Sequence, residues 1–177
     1  NTFPAGCSSA SGFSATTGQA CSGTTSQTGP VTAMLSSDNP ASSTFVAGQA
    51  TADLAHFTFS GNGTVTTVQL QRIGVSADAA LTNVYLYDGN TRITDAASVV
   101  TGGFINFNLG SNPIVVNGSR TITVRADIAD STNGQSVGVK LNSVTAGGSA
   151  STYSNVMGNS LQIGSVTTAG VNFSTIT

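Results

Sequence analysis

The side chains that usually carry chemistry are scarce in this chain. His56 is the only histidine among 177 residues, Lys140 the only lysine, and glutamate is absent. General acid–base and nucleophilic catalysis draw mostly on those residue types. His56 lies between Ala55 and Phe57 with no triad partner at a recognisable spacing. No G-x-S-x-G elbow, H-E-x-x-H helix or phosphate-cradling glycine loop accompanies it. These residues predict a strand histidine, not a catalyst, and a protein that is not an enzyme.

Seven aspartates supply all the side-chain carboxylate. Asp127 and Asp130, with Asn133, gather near one loop; Asp38 and Asn39 share another, and Asp88 and Asn90 flank a turn. Calcium takes several hard oxygens, backbone carbonyls included, so Asp127 and Asp130 are its candidate ligands. The alternative is that these residues cap turns through their own backbone. Without an Asp-x-Asp-x-Asp spacing the expectation is no cofactor and no metal centre, calcium being the one ion worth testing. Tyr85 and Tyr87 alternate with Val84 and Leu86, so they share a strand face and could stack on sugar rings or simply cover a cross-strand face. Tryptophan, the strongest sugar-stacking residue, is missing. Asn62, Asn117 and Asn172 begin N-x-S/T acceptor patterns for N-glycosylation. The first two are followed by glycine and are also good hairpin turns, which is the safer explanation.

Cys7 and Cys21 are the only cysteines and lie in a Ser/Thr/Gly-rich stretch. With no histidine near them they cannot complete a zinc site. Free thiols or a disulfide remain, and the disulfide is the favoured reading. It would close a short loop, contribute about 3 kcal/mol in the chain-entropy model, and imply an oxidising compartment. The first residue is Asn1, which suggests that a signal peptide or propeptide has been removed.

Charged residues make up 7% of the chain, the formal net charge is −2, and mean hydropathy is +0.15. Ser and Thr replace charge, so self-repulsion does not oppose folding. Five cations are too few for a nucleic-acid footprint, and no apolar run is long enough to span a bilayer.

The elements expected to position these residues are strands. Residues 1–29 form a Cys-containing, Ser/Thr/Gly-rich segment without sustained periodicity. From 30 to 146, short β-branched runs recur between Gly, Asn, Asp and Pro: 31–37, 53–59, 64–75, 81–88, 91–94, 104–109, 113–116, 120–128 and 135–144. Val65 falls out of phase with Val68 and Leu70, which predicts a bulge. Ala77–Leu81 offers one short helical turn. Residues 147–177 begin with a Gly/Ser hinge and continue into two further strands, 160–166 and 171–177. The pattern predicts an all-β, antiparallel immunoglobulin-like β-sandwich with a disulfide-stapled N-terminal loop. The expected core is Phe57, Phe59, Leu70, Ile73, Leu86, Ile105, Phe107, Ile122, Val124, Val139 and Leu141.

The stretches SSDNPASSTFVAGQATADLAHFTFSG, VQLQRIGVS, LTNVYLYDGNTRITDAASV and TITVRADI resemble a β-sandwich module of secreted, surface-layer-like proteins of ultra-small candidate-phyla bacteria. The opening FPAGCSSASGFSATTGQAC resembles a Cys-containing segment found in such proteins, often near peptidoglycan-binding modules. The likeness covers most of residues 3–146. It implies an extracellular structural role and no catalytic residues; the chain departs from the pattern in lacking a wall-binding module.

Together these readings predict an extracellular or cell-surface structural subunit that polymerises with itself, head to tail, by β-strand addition. Val171, Phe173 and Ile176 are the expected anchors of the donated strand. The alternative is a carbohydrate-binding or adhesive module that uses Tyr85 and Tyr87 against cell-wall or host glycans.

Overall fold

The computed structural model describes residues 6, 13–16, 28–147, 149–151 and 156–165. Within them the fold is almost entirely β: β1 (Thr28–Leu35), β2 (Thr44–Val46), β3 (Ala52–Ile73), β4 (Leu81–Asp88), β5 (Thr91–Arg92), β6 (Phe104–Asn108), β7 (Ile114–Ile128), β8 (Ser136–Ala146), β9 (Ser149–Ser151), β10 (Val156–Met157) and β11 (Leu161–Gly164). One 3-10 turn, Asp78–Ala80, precedes β4 at the expected place.

The strands join into one continuous sheet curled into a half-barrel. Its spine is β3, 22 residues long. Along one edge of β3, β7 pairs with Ala52–Val65 and β6 with Thr67–Gln71. Along the other, β1 pairs with Phe57–Gly63 and β8 with Val65–Ile73. A first arm therefore runs β1–β3–β7–β4–β5 and a second β6–β3–β8–β11–β2. All these ladders are antiparallel except β11 with β2, which makes the sheet mixed.

The Gly61-Asn62-Gly63 and Asn117-Gly118 motifs, expected as turns, lie inside strands. Asn62 opposes Asn117 and Gly61 opposes Gly118 in a ladder that runs without a break from Ala55 to Val65. The reason is backbone freedom used for bending instead of reversal. Gly61 has φ +130° and Gly118 φ +87°, values that glycine adopts without a Cβ penalty. A Cβ at Gly61 would sit 2.3 Å from the Pro30 carbonyl oxygen, so the close approach of β1 also needs glycine. The bulge expected near Val65 is present as a register shift between Val65 and Thr67.

That shift re-aims the core face. Phe57, Phe59 and Val65 point inward before it; Val68 and Leu70 point inward after it. One cluster spans both arms, from Phe45, Leu86 and Ile122 to Ile105, Leu141 and Ile163. Ile73 is half-buried, unlike the rest of the predicted core.

Candidate functional site

The edges of this sheet differ in how well they are closed. Beyond β4 the first arm is covered. Ala97 exchanges both backbone hydrogen bonds with Val84 (2.8 and 2.9 Å), Ile93 N–H donates to Leu86 O, and the Leu86 N–H donates to Thr94 Oγ1. The β6 edge of the second arm is not covered in this way. Arg72 N–H donates to Gly103 O and Leu109 N–H to Thr66 O. By the alternation of an antiparallel ladder, Ile105 and Phe107 then turn their backbone groups to β3, while Phe104, Asn106 and Asn108 turn theirs away. Val100 N–H occupies the Phe104 carbonyl at 2.8 Å. The backbone groups of Asn106 and Asn108 have no backbone partner among the described residues.

A groove of about 360 Å³ runs beside this edge, between Asn106–Leu109 and residues 93–97. Asp95 is the one charged residue lining it. Ile105 and Phe107 are buried on the core side of β6, and Asn106 and Asn108 are exposed on the other. On that outer side amides link three strands. Asn142 Nδ2 donates to Gln69 Oε1 at 2.5 Å, and Gln69 Nε2 donates to Asn106 Oδ1 at 2.8 Å. Thr67 and Thr145 share a hydroxyl bond beside this row.

The outer face of the first arm carries Tyr85 and Tyr87, half-buried on β4. Their centroids are 6.5 Å apart and the rings stand at 79°. Arg92 lies over Tyr85 at 5.3 Å and Arg125 over Tyr87 at 4.6 Å. Each ring thus has one face held by a guanidinium, and the two do not form a flat platform. Burial, then the nearby Asp127 carboxylate, raises the Tyr85 phenol above its ordinary pKa.

Asp127 acts as a clasp. Its Oδ1 accepts the Thr51 N–H at 2.8 Å, and its Oδ2 accepts the Asn83 amide at 3.0 Å and the Tyr85 hydroxyl at 3.4 Å. Burial raises its pKa, but these donors together outweigh burial and hold it below the usual carboxylate value. Thr51, which it fixes, has φ +50°, an uncommon conformation for a β-branched residue. Asp130 is exposed, with its Oδ1 against Gly48. Among the described residues no three His, Cys or carboxylate groups are arranged around a metal position.

His56 has neighbours that sequence spacing does not reveal. Its Nε2 is 3.0 and 3.1 Å from the Asp53 carboxylate oxygens. Its Nδ1 is 3.2 Å from Asp38 Oδ2, outside hydrogen-bonding geometry. In a regular strand, positions three apart face opposite sides; the irregularity between Asp53 and Ala55 puts Asp53 and His56 on one side. The Asp38 carboxyl is held below its ordinary value by the Ser36 hydrogen bond first; burial opposes this, and His56 lowers it further.

Asn62 and Asn117 are both exposed, side by side at the bend. Cys7, Cys21, Val171, Asn172, Phe173 and Ile176 lie outside the described residues. Among the described residues no helix is long and apolar enough to cross a membrane. Compared with known proteins, the chain matches no family model and no curated relative.

Proposed function

We propose that this protein is a structural subunit of an extracellular self-assembling filament or surface layer, joined copy to copy by β-strand addition. The observation that carries the reading is the β6 edge, where the backbone groups of Asn106 and Asn108 have no backbone partner among the described residues and lie beside a groove. Exposed edges are normally guarded by lysine, other charges or proline; β6 reads Phe-Ile-Asn-Phe-Asn and has none of them. An added strand would satisfy those groups and bury alternate side chains. A contact between unlike surfaces propagates head to tail into an open array wherever its rotation does not close a ring.

The resemblance to surface-layer-like modules of ultra-small candidate-phyla bacteria supports the same reading. So does the curl, whose two arms share a core as the sheets of an immunoglobulin-like sandwich do. A Cys7–Cys21 disulfide and secretion belong to this proposal, which needs no cofactor. The weaker alternative is a glycan-binding adhesin using the half-exposed faces of Tyr85 and Tyr87.

Negative-stain microscopy and sedimentation of the full chain, beside a chain lacking residues 167–177, test the proposal. The full chain is expected to form fibres or lattices and the shortened one to remain as single soluble subunits. Normal assembly of the shortened chain would rule out strand donation by this tail. Discrete full-length monomers that bind a glycan array would favour the adhesin.

A further inference from the structure

The chain contains a second copy of the β6 pattern. Residues Ile105-Asn106-Phe107-Asn108 read apolar-Asn-Phe-polar, and so do Val171-Asn172-Phe173-Ser174 near the C-terminus. In β6 that alternation puts Ile105 and Phe107 in the core and Asn106 and Asn108 outside. A strand of the same pattern laid along the β6 edge has both faces matched.

We infer that the occupant of the β6 groove is the Val171–Ser174 stretch of a second copy, with Asn172 beside Asn106; this rests on the structural-subunit reading above. Three features of the site agree. First, Asn106 and Asn108 present backbone groups that have no backbone partner among the described residues, on the side where a strand would pair. Second, the groove between β6 and residues 93–97 has room for alternate side chains, and its lining includes Ile93, Ala97, Phe107 and Leu109. Val171 and Phe173 would extend the apolar row of Ile105 and Phe107 there.

Third, the amide row Asn142→Gln69→Asn106 ends at this edge. Its donor direction leaves the Asn106 NH2 group without a protein partner among the described residues. Asn172 supplies the carbonyl oxygen that continues the row onto a fourth strand. Side-chain amide ladders of this kind add to backbone pairing between stacked strands. They also set register, because a one-residue slip would turn Asn172 into the groove and Phe173 out to water. The occupant is thus chosen by pattern instead of by charge, in keeping with a site that holds Asp95 alone among charged residues.

The test mixes ordinary and ¹⁵N-labelled full-length chains, each with a photoreactive leucine analogue in place of Val171. After illumination, cross-links are mapped by mass spectrometry, and self-association of the unmodified chain is followed by sedimentation. Cross-links joining light and heavy chains, from position 171 to the peptide containing residues 105–108, are the expected result. Cross-links confined to single chains, or landing elsewhere on a second copy, overturn the inference. If the unmodified chain still assembles in that case, the structural-subunit reading survives without it. An unmodified chain that stays monomeric at all concentrations, with no hybrid cross-links, sinks both.

A charge swap checks the register. Asn106→Asp with Asn172→Asp puts like charges side by side and should weaken association up to about fivefold for the one pair. Asn106→Asp with Asn172→Lys should restore it. Equal assembly by the two double variants would overturn the proposed register.

Discussion

Asp127 shows how much a single carboxylate can organise when charge is scarce. It fixes the left-handed Thr51 at the entrance to β3, holds the Asn83 amide, and orients the Tyr85 hydroxyl. Asp127→Ala removes the acceptor for all three donors. Hydrogen bonds to a charged group contribute about 1.5–3 kcal/mol each where they matter, so a loss of about 2–3 kcal/mol at pH 7 is expected, read by urea denaturation. Because the folded-state pKa is depressed, this contribution is present above the unfolded value and is lost as pH falls through the folded one. The gap between wild type and variant should therefore narrow steadily below about pH 4, the ordinary aspartate range; a gap constant down to strong acid would show that the carboxylate charge is not what holds the clasp.

At the scale of elements, the bend in the β3–β7 ribbon decides the architecture. Gly61→Ala would place a methyl against the Pro30 carbonyl at a residue with φ +130°. Strain and clash together should cost about 1–3 kcal/mol, with amide exchange quickening first in β1. Unchanged stability and unchanged β1 protection would mean that the ribbon has another way to bend. The strands themselves were legible in the sequence: β4 falls on residues 81–88 as the alternation predicts, and Ile122, Val124, Ala126 and Ile128 line the core side of β7. The bends were not. Asn-Gly signals a tight reversal when it stands between separate strands, yet the same two residues serve a coiled two-stranded ribbon when the ladder continues past them. Local propensity cannot tell these apart, because the choice depends on partners far along the chain. The His56–Asp53 contact escaped for a related reason, since it exists only through an irregularity in register. The open edge at β6 was foreseeable only as an absence of guarding charge. Its location needed the topology.

Taken whole, the molecule has few charges, and most are already engaged locally. Arg72 pairs with Asp78 at 2.8 Å and Arg120 with Asp88 at 2.7 Å, while Arg92 and Arg125 lie over tyrosines. Little is left for long-range attraction between copies. Assembly driven by backbone pairing and apolar anchors should be nearly insensitive to salt, whereas contacts between exposed charges weaken as the screening length falls from about 10 Å at 0.1 M to about 3 Å at 1 M. Sedimentation across that range should give similar assembled fractions. Dissolution of the particles by salt alone would point to an electrostatic interface somewhere other than the β6 edge.

The long central strand also sets a timetable. Residues 52–73 are made early, but their partners β6, β7 and β8 span residues 104–146, so only β1 is at hand when β3 leaves the ribosome. Contacts so distant in sequence make folding slow. The edge that would receive another copy does not exist until β6 has been made and laid against β3, more than thirty residues after the end of that strand. On the strand-addition proposal growth would thereby be deferred: an unfolded chain has the residues of an acceptor but not its shape, and a copy would become able to accept a neighbour only once it has folded.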